Sequence, residues 1–285
     1  MKALRFGIKT APQHTTYEAM LDVWKEADAT PVFEHAWLFD HFAPIHSDVD
    51  GPCFEGWTLL AAYAAQTSRI RVGLMVTGNT YRHPAVLANT AATVDVISGG
   101  RLDFGIGAGW NEYEHSSMGI PLYTPGERLR RFREACEICK RLFTQHTTDF
   151  DGRYYQLKEA RCEPKPIQKP YPPFVIGGGG EQLTLKIVAE YADIWNYAGG
   201  PVDTFKHKVD VLRQHCETVG RNFDEIELST QLVVNYNNLD ETVELTQQFV
   251  DAGVTHLVLN LRPPFPERIV TRLAEEVVPR IRPRA

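Results

Sequence analysis

Residues 73–118 read GLMVTGNTYRHPAVLANTAATVDVISGGRLDFGIGAGWNEYEHSSM, and this stretch decides the fold. The apolar run Ile70 to Val76 is strand-like and ends in the polar Thr77, Gly78 and Asn79 rather than in a tight hairpin turn. A crossover must follow. Pro84 suits the first turn of a helix, where its missing N–H costs nothing, and Leu87, Ala91, Val94 and Ile97 then share one helical stripe. Ser98, Gly99 and Gly100 stop that helix; the chain re-enters as Leu102 to Ile106 and breaks at Gly107, Ala108 and Gly109. The unit is βαβ, both strands end in loops of unusual composition, and ligands of parallel sheets sit at such carboxyl ends.

The same alternation extends in both directions. Leu4, Phe6 and Ile8 mark a first strand, Tyr17 to Ala27 a helix, Ala36 to Phe39 a second strand, and Trp57 to Gln66 a second helix. After the fourth strand, Trp110 to Tyr123 reads as a long loop, and Thr124, Pro125 and Glu127 start a helix that runs to Phe143, with Glu127 assigned to its cap. Phe150 to Leu157, turning at Asp151-Gly152, reads as an inserted hairpin, and the five prolines between Cys162 and Pro173 as an extended connector. Four more strands follow at Phe174–Ile176, Asp193–Tyr197, Ile226–Val234 and His256–Leu261, with helices Leu183–Tyr191, Phe205–Val219 and Leu239–Asp251 between them and a closing helix from Pro266 to Ile281. Eight strand and helix alternations in 285 residues predict an α/β chain forming a (β/α)8 TIM barrel, with loop insertions at the C-terminal face and one domain spanning 1–285. A doubly wound open sheet is the alternative.

Composition narrows the function classes. Thirty basic against 36 acidic residues give a net charge of −6, which offers no general attraction for nucleic acid or an anionic membrane. Neither partner is expected. The N-terminal MKALRFGIKT enters a strand without an apolar leader core, and no stretch approaches ~18 apolar residues, so the expectation is a cytoplasmic protein. The five cysteines are irregularly spaced. Cys136 and Cys139 form a CxxC, yet they share a three-four spacing with Leu129, Phe132 and Phe143, as Cys216 does with Phe205, Val209, Leu212 and Val219. These thiols read as core, and no metal site is expected.

Two clusters could carry chemistry. Gly177, Gly178, Gly179 and Gly180 lie between a strand and a helix, where side-chain-free backbone lets N–H groups approach a phosphate at the positive end of a helix dipole; a strained turn is the plainer reading. Gly105, Gly107 and Gly109 lack the spacing of a dinucleotide fingerprint. Asp40 and His41 interrupt an apolar run at the end of the second strand, either as a cap with a satisfied polar neighbour or as a functional pair. Trp110, Asn111, Glu112 and Glu114 crowd an aromatic, an amide and two acids into the loop after the fourth strand, though a solvated loop looks the same.

Four segments carry a resemblance: LFDHF at 38–42, YRHPAVLA at 81–88, DVISGGRLDFGIGAGWNEYEH at 95–115 and IGGGGEQLTL at 176–185. The sequence resembles the luciferase-like superfamily of flavin and deazaflavin oxidoreductases, most closely its branch using the deazaflavin coenzyme F420. The resemblance implies hydride transfer between F420 and a small organic substrate. By it, Asp40 hydrogen-bonds the deazaflavin headgroup, a non-proline cis peptide joins Met75 to Val76 and supports one ring face, and Thr77 meets the ring edge. Gly177 to Gly180 hold the phosphate, Asn196 completes the site, Asn111 touches cofactor or substrate, and His41 with Glu112 are the candidates for acid–base work. Arg82, Lys206 and Lys208 are candidate partners of the coenzyme's acidic tail. Where F420-dependent sugar-phosphate dehydrogenases carry a catalytic Glu after the Gly-rich turn, this chain has Trp110, so their proton relay does not transfer intact. An FMN-dependent monooxygenase and a non-catalytic flavin-binding barrel are the rivals, and the oligomeric state stays open, a homodimer being common among relatives.

Overall fold

The computed structural model describes residues 3–284; Met1, Lys2 and Ala285, at the two ends of the expected 1–285 domain and including the start of the N-terminal run, lie outside the described residues. In chain order the elements are β1 (Arg5–Thr10), α1 (Tyr17–Ala29), β2 (Phe33–Leu38), α2 (Gly56–Gln66), β3 (Arg71–Leu74), β4 (Thr77–Gly78), α3 (Pro84–Ile97), β5 (Leu102–Gly107), α4 (Glu112–Met118) and α5 (Pro125–Thr144). They continue with β6 (Thr148–Asp151), β7 (Gln156–Ala160), β8 (Phe174–Gly177), α6 (Thr184–Tyr191), β9 (Ile194–Tyr197), α7 (Val202–Val219), β10 (Glu227–Val233), α8 (Leu239–Asp251), β11 (His256–Leu261) and α9 (Ile269–Glu276). Strands neighbour one another in the order β3-β2-β1-β11-β10-β9-β8-β5-β4, all parallel, and β3 also pairs with β5, which closes the sheet. Because β3 and β4 are one stave interrupted at Met75-Val76, the nine segments make an eight-staved (β/α)8 barrel. The open sheet is thereby excluded. The hairpin β6–β7 stands apart from the barrel and is antiparallel.

Parallel barrel strands are covered on both faces, and the two faces hold different chemistry. Phe6, Ile8, Leu38, Val72, Leu74, Phe104 and Ile106 join the large core between strands and helices. Facing inward are Trp37, Met75, Val175, Ile194 and Val258, with Val76 packed on them. At the N-terminal ends of the strands the interior is polar: Arg5 pairs with Glu227 at 2.7 Å and Arg71 with Asp103 at 2.5 Å. Above these pairs the rings of His35 and His256 stack at 3.9 Å between centroids. Burial, and for His35 the neighbouring His256 as well, drives both imidazoles well below the usual histidine range. Trp37 Nε1 donates to His35 Nδ1 at 2.6 Å.

Local chemistry explains the helix starts. Thr124 Oγ1 accepts from the Glu127 amide at 3.4 Å, and His83 Nδ1 accepts from the Ala85 amide at 3.2 Å ahead of Pro84. The Glu127 carboxylate pairs with Arg131 at 2.8 Å, so its part in the cap is played by its backbone N–H. Cys136, Cys139 and Cys216 are buried in the core, as the periodicity requires. Several boundaries differ from the sequence reading; β2 and α7, for instance, begin at Phe33 and Val202, three residues early. The stretch 110–123 is not wholly a loop, since Asn111 starts the two-turn α4. The third strand stops at Leu74 and resumes at Thr77. The closing helix is only α9, because Pro279 cannot continue the backbone ladder and the chain makes a 3-10 turn at Val278–Arg280. Among the described residues no helix is long and apolar enough to cross a membrane.

Candidate active site

The peptide bond Met75–Val76 is cis, as the resemblance implies. A Cβ added to Gly107 would lie 2.8 Å from Val76 Cγ2, one on Gly177 3.2 Å from Cγ1, and one on Gly105 3.3 Å from Cγ1. Gly107 and Gly177 thus leave the room that Val76 fills, while Gly105 makes way for the Leu74 carbonyl, 1.8 Å from where its Cβ would lie. Val76 is partly exposed and rests on the apolar interior cluster, so it forms a floor at the C-terminal mouth of the barrel.

On one side of that floor stands an ion-pair cluster. Asp40, fully buried after β2, takes a forked contact from Arg82, Nη1 to Oδ2 at 2.5 Å and Nη2 to Oδ1 at 3.1 Å, and accepts from the Thr77 hydroxyl. Arg82 also pairs with Glu55, which caps α2 through the amides of Trp57 and Thr58. Trp57 Nε1 donates to Thr77 Oγ1 at 3.3 Å. Burial alone would lower the Arg82 pKa, but Asp40 and Glu55 outweigh it and raise it. Arg82 thus holds two carboxylates at once.

On the next side, His41 Nδ1 meets Glu114 Oε2 at 2.7 Å. Glu114 is fully buried and also accepts from Tyr81 Oη at 2.7 Å, from the Ala43 amide at 3.1 Å and from the Phe42 amide. Burial alone would raise the Glu114 pKa, yet His41, Tyr81 and the Phe42 amide hold it below the usual carboxylate range. A carboxylate at Nδ1 fixes the Nδ1–H tautomer, which leaves Nε2 as the ring nitrogen free to exchange a proton. The Trp110 ring packs edge-on to His41 at 5.6 Å and stacks on His46 at 5.6 Å. Glu112 is not part of this cluster: it lies exposed in the first turn of α4, and Glu114 is the acid brought to His41. Asn111 is nearly buried, but its Oδ1 is engaged as the α4 cap, accepting from the amides of Tyr113 and Glu114. His115, overlooked in the sequence, donates from Nδ1 to the Asn111 carbonyl at 2.5 Å and accepts from Thr80 at Nε2, 2.8 Å.

The glycine loop follows β8. Gly178 has φ +118°, open to glycine alone, and α6 begins at Thr184 without a side-chain cap on its amides. Lys208 Nζ reaches the loop, 2.6 Å from the Gly179 carbonyl and 3.2 Å from Glu181. Lys206 does not; its contact is the exposed Asp203. Asn196 is buried inside the barrel, donating to Ser229 Oγ at 2.8 Å and accepting from Gln231 Nε2 at 2.7 Å, so its side chain supports the floor rather than the loop. Its carbonyl accepts from the Gly178 amide at 3.3 Å.

The model of the luciferase-like monooxygenase family matches residues 4–272. The chain belongs to this family. An uncharacterized protein of Mycobacterium tuberculosis is 34% identical over 58% of the chain, a match that spans 57% of that relative's own length. The F420-dependent glucose-6-phosphate dehydrogenase of Kineococcus radiotolerans is 25% identical, with 98% of both chains covered. Among solved structures, an F420-dependent secondary alcohol dehydrogenase aligns with a TM-score of 0.87 at 18% identity, covering 99% of this chain and 100% of that one. The F420-dependent tetrahydromethanopterin reductase of Methanopyrus kandleri aligns with a TM-score of 0.83 at 21% identity, with the same coverage. At these identities the two structures establish the barrel of this luciferase-like protein and nothing finer.

Proposed function

We propose that this luciferase-like protein is an F420-dependent oxidoreductase acting on a small organic substrate at the C-terminal mouth of a single barrel domain, residues 1–285. One observation supports the reading most: Val76, set against Gly107 and Gly177 and resting on the apolar interior cluster, offers an apolar rest that a planar ring fits. Similarity along nearly the whole chain to an F420-dependent dehydrogenase supports the choice of ring. When bound, F420 supplies the two-electron hydride chemistry.

The chain's own residues would do the rest. Val76 and Met75 support one face of the ring. The Asp40–Arg82–Thr77 cluster borders the floor and would set the polar edge against which the ring lies. Amides of Gly178 to Gly180, with the Lys208 ammonium beside them, would hold the phosphate. His41 would give or take the substrate proton at Nε2, with Glu114 fixing its tautomer and balancing the imidazolium. Trp110, half-exposed on the rim where, by the resemblance, the sugar-phosphate dehydrogenases carry an acid, packs on His41 and cannot move a proton.

The family match also favours a second reading, an FMN-dependent monooxygenase on the same floor. Titration of the purified protein with oxidised F420 and with FMN, each followed by its visible absorbance, separates them. Saturable binding of F420 with FMN ignored is the expected result; FMN bound and F420 ignored would replace the first reading by the second. Neither cofactor bound would overturn both.

A further inference from the structure

The mouth floor has two halves. Phe39, Met75, Val76, Gly107 and Gly177 make one apolar half, contributed by β5, β8 and the chain just after β2 and β3. The other half comes from β9, β10, β11 and β1 and carries Asn196, Gln231, Asn260 and Lys9. Strand register places Lys9 beside Asn260 and, two residues below, Gly7 beside Val258 of the interior cluster, so Lys9 and Asn260 point inward. Lys9 reaches across the interior to Gln231 Oε1 at 2.6 Å, and Gln231 in turn donates to Asn196. Lys9 is 8% exposed and Nζ lies 5.8 Å from the centre of the Phe39 ring. No carboxylate pairs with it among the described residues. Next to it, Asn260 Oδ1 is buried without a partner.

A buried ammonium with one amide acceptor and no counter-charge is costly unless something else meets it. The interior's other charged groups do not. Arg5 with Glu227 and Arg71 with Asp103 close on themselves at the N-terminal end, the His35–His256 stack lies above them, and Asp40–Arg82 and His41–Glu114 are paired at the strand ends beyond the floor. Burial alone pushes the Lys9 pKa down to about 8.

We propose that Lys9 is a binding residue for the mouth's occupant: its ammonium meets a carbonyl or anionic oxygen on the polar rim of a flat conjugated ring whose apolar part lies over Val76. The Lys9–Gln231–Asn196 chain fixes which edge of the ring faces β1, and the positive charge favours the ring state with more negative charge on that rim. This inference rests on the reading of the mouth as a ring site, and it holds for F420 or FMN, which share a rim of carbonyl oxygens.

The test is the affinity of the wild-type protein and of Lys9→Met for F420 and FMN between pH 7 and pH 9.5. At pH 7 the substitution weakens binding at least tenfold, and the gap closes as pH rises through about 8, where the wild-type ammonium loses its charge. Equal affinities at pH 7, or a gap constant across the range, overturn the role of Lys9 while leaving the ring site intact. No binding by the wild type overturns the ring site itself, and Lys9 with it. If Lys9→Met does not fold, lysine-labelled wild-type protein gives the answer by NMR. The Lys9 titration midpoint rises by at least one pH unit on ring binding, and an unmoved midpoint overturns the proposal.

Discussion

Replacing Glu114 by Gln removes a charge from the most heavily bonded side chain of the site. Its carboxylate lies fully buried and accepts from His41, Tyr81 and the amides of Phe42 and Ala43. Glutamine keeps one carbonyl oxygen for the two amides but turns an NH2 group towards His41 and Tyr81, which Tyr81 Oη can accept and His41 Nδ1 only as the Nε2–H tautomer. Two charge-assisted bonds, each worth ~1.5–3 kcal/mol, then become neutral bonds of about half that strength, a loss of ~1.5–3 kcal/mol. For a chain of this size that is a fall in Tm of about 3–5 °C at pH 7. The pH dependence follows from the lowered Glu114 pKa. Its contribution is fully present above the unfolded carboxylate value of ~4.3 and is lost as pH falls through the lower folded value. The wild type and Glu114→Gln therefore differ at pH 7 and converge below pH ~4. Melting curves by circular dichroism at pH 7, 5 and 3 measure both effects. A difference under 1 °C at pH 7, or one that persists undiminished at pH 3, refutes the assignment of Glu114 as the anchor of His41.

Other substitutions probe the remaining parts. Asp40→Ala leaves Arg82 with Glu55 alone, so it should cost ~3 kcal/mol of stability as well as weaken F420 binding, measured by urea titration beside ligand titration. Gly107→Ala brings a methyl to 2.8 Å from Val76 Cγ2 and should cost ~1–3 kcal/mol while lowering F420 affinity at least tenfold; wild-type affinity in that variant would argue against the Val76 floor. The thiols of Cys136, Cys139, Cys162 and Cys216 are buried and raised by burial, and burial with Glu114 and Asp40 pushes half-exposed Cys53 up to about 12. Ellman's reagent at pH 8 should accordingly find almost no fast-reacting thiol in the native protein and five after denaturation.

The barrel was legible because each strand announces itself by a short apolar run and each strand end by glycine or a polar break, as at Gly107 to Gly109 and Gly177 to Gly180. Motif resemblance supplied the cis step at Met75, which no periodicity encodes. Glu114 was hidden by the reading of 110–123 as a loop, although Asn111, Glu114 and His115 stand at the three-four spacing of one helix face and Asn is a ready cap. Exposure decides between Glu112 and Glu114, and exposure depends on how α4 lies on the rim. Arg82 looked like a surface cation because its partners Glu55 and Asp40 are 27 and 42 residues away, and only barrel closure brings them together. Lys9 went unnoticed for a related reason. In a strand buried on both faces the apolar Phe6 and Ile8 point to the helices, and the polar alternates point to the interior.

The central claim is that a planar redox ring lies on Val76 at the mouth of the barrel. A crystal structure of the protein soaked with F420 tests it most directly. Ring density is expected across Val76, bordered by Asp40 and Thr77, with the phosphate against the amides of Gly178 to Gly180. A ring bound elsewhere, or an empty mouth in crystals of protein saturated with F420, would contradict it.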